Sequence, residues 1–105
     1  LGFLENEIIS EKRFKDCRNT KTLPFDFYIE KINLCIEFDG KQHFEPVQFG
    51  GIPEQKAMDG YKKTVKNDKI KNKYCLKNKI NILRIPYWEI KNIENIILDK
   101  ISQII

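Results

Sequence analysis

The apolar positions of this 105-residue chain change their period several times, and each change marks an element. From Leu1 to about Arg18, Phe3-Leu4 and Ile8-Ile9 can line one side of a helix, although Ile8 to Phe14 also suits a short strand; the reading adopted is helix. Phe25-Asp26-Phe27-Tyr28-Ile29 alternates, and so does Leu34-Cys35-Ile36-Glu37-Phe38-Asp39, with a turn-sized gap between them. Two antiparallel strands follow, with Phe25, Phe27 and Ile29 on one face and Asp26 and Tyr28 on the other. Pro46, Gly50-Gly51 and Pro53 punctuate Lys41 to Gly60 as an ordered loop, a candidate ligand contact. Helix formers run from about Glu54 to Lys79, where Tyr61, Val65, Asp68, Asn72 and Cys75 trace one inward face. Asn81 to Ile85 reads as a buried strand closed by Pro86, and Ile90, Ile93, Ile97, Ile101 and Ile104 mark an amphipathic helix to the end. The order is helix, strand, strand, helix, strand, helix. A helix crossing between strands yields a parallel pair, so the expected fold is α/β, a small mixed β-sheet flanked by helices, in a single domain over residues 1–105. The start at Leu1 suggests a fragment of a longer chain.

The strand period also gathers acids. In the second strand Leu34, Ile36 and Phe38 share one face, which leaves Cys35, Glu37 and Asp39 on the other. A tight turn through Glu30-Lys31-Ile32-Asn33 sets Asp26 opposite Glu37. Two carboxylates about 4.5–5.5 Å apart at their Cβ atoms repel unless a proton or cation lies between them. Oxygen ligands of this kind suit Mg²⁺ or Mn²⁺. A one-residue slip would instead place Asp26 among Leu34, Ile36 and Phe38, against the pattern. His43 follows the strand closely enough to swing back over its acidic end, where an imidazole can take a proton from water. Asp68 is the candidate to orient that ring; the other role open to it is N-cap of a helix starting near Lys69.

Composition narrows the class. With 41% hydrophobic and 32% charged residues, five glycines and four prolines, the chain is neither collagenous nor disordered throughout. No uninterrupted apolar run exceeds three residues, so no membrane span or signal segment is expected. Cys17, Cys35 and Cys75 have neither CxxC nor CxxH spacing, which predicts reduced thiols and an intracellular setting. The net charge of +4 is unevenly spread. Nine lysines against Asp59 and Asp68 give the stretch from Lys56 to Lys79 a local +7, and the remaining residues sum to −3. Such a segment fits a polyanion, or else a solvated helix face.

Four ordered blocks carry a resemblance: Leu23-Pro24-Phe25-Asp26-Phe27-Tyr28-Ile29, Cys35-Ile36-Glu37-Phe38-Asp39-Gly40-Lys41-Gln42-His43-Phe44, Asn67-Asp68-Lys69-Ile70-Lys71-Asn72-Lys73-Tyr74-Cys75, and Leu83-Arg84-Ile85-Pro86-Tyr87. Together they resemble the very-short-patch-repair (Vsr-like) branch of the PD-(D/E)xK nucleases, and within it phage homing endonucleases of the EDxHD pattern. The resemblance implies a restriction-endonuclease-like fold and a Mg²⁺- or Mn²⁺-dependent DNA endonuclease leaving 5′-phosphate ends. It implies that Asp26 and Glu37 hold the metal, with the Phe38 carbonyl as a further ligand. It also implies that His43 and Asp68 are the histidine and last aspartate of EDxHD. The first glutamate, expected on the N-terminal helix, is Glu7, with Glu11 or a residue ahead of Leu1 as alternatives. Asp39 departs from the general pattern by standing where a lysine is expected, which leaves water activation to His43, with Lys41 close enough to assist. On the basic helix Lys62, Lys63 and Lys66, together with Lys41, would neutralise phosphates of double-stranded DNA. One site nicks one strand, so a double-strand break would call for a homodimer. Sequence choice would belong to a separate recognition domain, and the setting would be the cytoplasm of a bacterial host. The alternatives are a non-catalytic DNA-binding module of the same fold and a restriction or mismatch-repair nuclease.

Overall fold

A computed structural model describes residues 7–105. Its elements are β1 (Ile8–Arg18), β2 (Thr22–Ile29), β3 (Leu34–Asp39), α1 (Glu54–Lys77), β4 (Asn81–Pro86) and α2 (Ile93–Ile104). The strands form one mixed sheet in the order β1-β2-β3-β4, antiparallel except for the β3–β4 pair. The crossover from β3 through α1 to β4 makes that pair parallel, as the element order predicts. The protein has the expected α/β fold, with a helix on each face of the sheet. No helix among the described residues is long and apolar enough to cross a membrane.

Each face carries its own core. On one, Cys17, Phe25, Tyr28, Cys35 and Cys75 are buried, with Ile70 and Tyr74 of α1 packed against them. On the other, Ile29, Leu34, Ile36 and Ile85 meet Ile101 and its neighbours on α2. Strand β3 lies between the two and is buried along all but Phe38, so its acids Glu37 and Asp39 are also enclosed. The three cysteines are free thiols. Burial pushes Cys17 up, and Cys35 is raised by its hydrogen bond with Cys75 and by burial.

Three expectations need correction. Residues 8–18 form a strand, not a helix. Glu11 takes a left-handed φ of 50° and breaks the alternation, so the covered residues Ile9, Lys12, Phe14 and Cys17 fall at spacings of three, two and three, which match no single period. The alternation also breaks in β2: Phe25 joins Tyr28 on the α1 side, Ile29 faces α2, and Phe27 is half-exposed against the Phe38 ring. The last helix begins at Ile93. Ile90 lies in the short 3-10 segment Tyr87–Asn92 and is 55% exposed. The expected residues 1–6 of the N-terminal helix lie outside the described residues.

Candidate active site

The β2–β3 hairpin has the predicted register: Phe27 pairs with Ile36, Tyr28 with Cys35 and Ile29 with Leu34. Asn33 closes its turn in the left-handed conformation at φ 50°, with its side-chain oxygen 2.7 Å from the Tyr28 hydroxyl. Continued one step, the register brings Asp26 level with Glu37. The two carboxylates do not point at each other, because each reaches the opposite strand's backbone. The Asp26 N–H donates to Glu37 Oε1 at 2.7 Å, and the Phe38 N–H donates to Asp26 Oδ2 at 2.7 Å. These bonds replace ladder bonds where β2 breaks its alternation, and they leave Asp26 exposed.

Glu37 is 3% exposed, and the ammonium of Lys71 donates to its Oε2 at 2.9 Å. Burial pushes the Glu37 carboxyl above the ordinary glutamate range; Lys71 and the Asp26 N–H pull it back, and the Asp26 carboxylate adds to the rise. Lys71 also lies 5.3 Å above the centre of the Phe25 ring. The positive charge missing from the position of Asp39 therefore reaches the acids from α1.

The second cluster surrounds His43. Its Nδ1–H donates to Asp68 Oδ2 at 2.7 Å and lies 3.5 Å from Asp39 Oδ1. A carboxylate oxygen accepts, so the neutral ring keeps its lone pair on Nε2. Asp68 stands in the middle of α1 and not at a helix start, which rules out the N-cap role. Arg84 of β4 binds the same acids, with Nη1 2.9 Å from Asp39 Oδ1 and 3.4 Å from Asp68 Oδ1, and its Nε–H donates to Asn72 at 2.8 Å. Side chains from β3, α1 and β4 thus fix the ring that follows the sheet end.

Two places offer donors to a divalent cation. Asp26 is exposed and holds only its Oδ2 to the backbone, which suits a hard cation at Oδ1 beside Glu37. Asp39, His43 and Asp68 present ligand atoms within 4.8 Å of one another. There, the Arg84 guanidinium pairs with both aspartates, one positive charge against two carboxylates, and the histidine nitrogen nearest them bonds Asp68. At Asp26 both Glu37 oxygens are engaged within the protein, which leaves Asp26 Oδ1 as the carboxylate oxygen open to a cation there.

The other expected residues are dispersed. The β1–β2 register sets Glu11 level with Asp26, whereas Glu7 lies ahead of β1, four positions from that level. Lys62 and Lys66 line an open groove of about 340 Å³ on α1 with Lys69 and Lys73. Lys63 lines another, of about 430 Å³, with Lys21, Asn19 and Asn67. Lys41 pairs with Glu45 at 3.3 Å. Lys71 and Arg84 are the residues that sequence reasoning missed. Lys71 comes three residues after Asp68 and four before Cys75, and Arg84 interrupts an apolar strand; both positions signal a charge carried inward.

No protein-family model matches this chain, and no solved structure does. It is similar to "Uncharacterized protein 307L" of Invertebrate iridescent virus 6, at 26% identity over 101 residues. That match covers 95% of this chain and 46% of the viral protein, so the chain spans about half the length of the curated relative it matches.

Proposed function

We propose that this domain is a metal-dependent DNA endonuclease that hydrolyses one phosphodiester strand per site. The observation that carries the proposal is the histidine held 2.7 Å from Asp68 and 3.5 Å from Asp39 at the end of the strand that bears Glu37, with exposed Asp26 on the neighbouring strand. A Mg²⁺ or Mn²⁺ ion held by Asp26, with Glu37 alongside, supplies polarisation of a phosphoryl oxygen when bound.

The chain's own groups do the rest. Nε2 of His43 accepts a proton from the attacking water, and Asp68 and Asp39 stabilise the resulting imidazolium. Arg84 holds those two aspartates in place from β4. Lys71 holds Glu37 and, with it, the backbone of Asp26. Lysines of α1 attract the DNA backbone without reading sequence. A recognition domain elsewhere in the full protein and a pair of domains acting on opposite strands complete this proposal.

Supercoiled plasmid incubated at low salt with Mg²⁺, Mn²⁺ or EDTA tests it. Metal-dependent nicking is expected, lost in Asp26→Ala and lowered about 10²–10⁴-fold in His43→Ala. An intact plasmid that shows a salt-sensitive mobility shift would instead assign the domain to DNA binding without cleavage.

A further inference from the structure

Beside the histidine, three aromatic side chains and an isoleucine are left partly uncovered. Phe44 is 41% exposed, Tyr87 44%, Trp88 59% and Ile90 55%. The three rings touch: Phe44 and Trp88 have centroids 4.7 Å apart, Tyr87 and Trp88 5.2 Å, and Phe44 and Tyr87 5.9 Å. A contiguous apolar patch of this kind marks a contact surface. Phe44 directly follows His43, and Tyr87 directly follows the end of β4. Tyr87 is also a wall of a cavity of about 310 Å³ lined by Phe38, Asp39, Gln42, Ile85 and Ile90. That volume is near the lower end for small-ligand sites, about 300–1,000 Å³, and suits one planar ring system. Asp39 belongs both to this cavity and to the histidine cluster.

We propose that this cavity and its aromatic rim take an unpaired nucleobase of the DNA beside the bond to be cut. The inference rests on the nuclease proposal and specifies its substrate class. A phosphate at His43 brings its own nucleotide's base within reach of Tyr87 and Phe44, whose faces stack on any base. The local charge suits a neutral ring, since Asp39, the one charged side chain among the described residues of the cavity wall, is paired with Arg84. Gln42 supplies an amide at the cavity wall, the group that pairs bidentately with an adenine edge. Gly40 leaves room for it: a Cβ there would stand 2.6 Å from Gln42 Oε1. A base within a duplex has both faces covered by its neighbours, so only an unpaired or extruded one can occupy the site.

Trp88 is the chain's one tryptophan, so its emission reports on this surface without catalysis. The protein is titrated in EDTA with a single-stranded oligonucleotide, the matching duplex, and that duplex carrying one unpaired central nucleotide. DNA with an unpaired base is expected to quench Trp88 and to bind about tenfold more tightly than the duplex. Phe44→Ala and Tyr87→Ala are expected to remove that preference while retaining duplex affinity and an unchanged circular dichroism spectrum. Equal affinity for all three DNAs with constant Trp88 emission, in a protein that still nicks plasmid with Mg²⁺, overturns the base site alone. Loss of both DNA binding and nicking in the wild type overturns the nuclease proposal and this one with it. Emission that changes with protein concentration alone, together with a dimer in sedimentation, assigns the patch to a second copy and overturns the base site.

Discussion

Lys71 carries a positive charge into the face between sheet and helix, and Glu37 is its only ion-pair partner among the described residues. Removing one member of such a pair leaves a buried charge without compensation. Lys71→Met is therefore expected to destabilise the fold by about 3–5 kcal/mol in urea unfolding, with much of the loss recovered in the double variant with Glu37→Gln. The raised pKa of Glu37 gives a second test. Its folded form holds a proton more tightly than the unfolded chain, so its contribution to stability falls as pH rises from the ordinary glutamate value through the folded one. Below that window the contribution is pH-independent. The stability of Glu37→Gln relative to wild type should accordingly improve as pH rises through the window, read from urea midpoints at each pH. Sequence spacing placed Asp68 correctly on the inward line of α1. It placed Asn72 inward, where the structure exposes Asn72 and buries Lys71 beside it, because a lysine reads as a surface residue until its carboxylate partner is known.

At the scale of elements, α2 covers one face of the sheet through a narrow isoleucine stripe. Ile101 is 9% exposed, and Ile101→Ala is expected to cost about 2–5 kcal/mol. Ile90→Ala, in the exposed segment ahead of the helix, should stay within about 0.5 kcal/mol. Thermal or urea unfolding of the two variants checks this boundary of the helix. The strand period in β3 and the helix period in α1 were legible because they run on almost unbroken, with one slip where Lys71 and not Asn72 is buried. β1 was not, since the left-handed Glu11 shifts the alternation midway and leaves covered positions that follow no single period.

For the whole molecule, the basic stretch belongs to α1, whose buried side chains are Ala57, Lys71 and Cys75 and whose other lysines are available to a polyanion. Should Lys62 and Lys66 bind phosphates, replacing both with alanine would flatten the slope of log affinity against log salt by about 0.9 for each phosphate no longer neutralised. Duplex binding measured across a salt series reads that change. An unchanged slope would move the DNA path to the groove of Lys63 and Lys21.

Residue order by itself determined the β3–α1–β4 crossover, the hairpin register and the position of His43 after an acidic strand. Alternation, helical spacing and turn residues are local properties, written within a few positions of one another. Only the tertiary structure decided how the other charges pair, Lys71 with Glu37 across 34 residues and Arg84 with Asp39 across 45, and chose for Asp68 the bond to His43 over the N-cap role. Burial of an ion depends on a partner that folding brings from far along the chain, and no local period encodes that meeting.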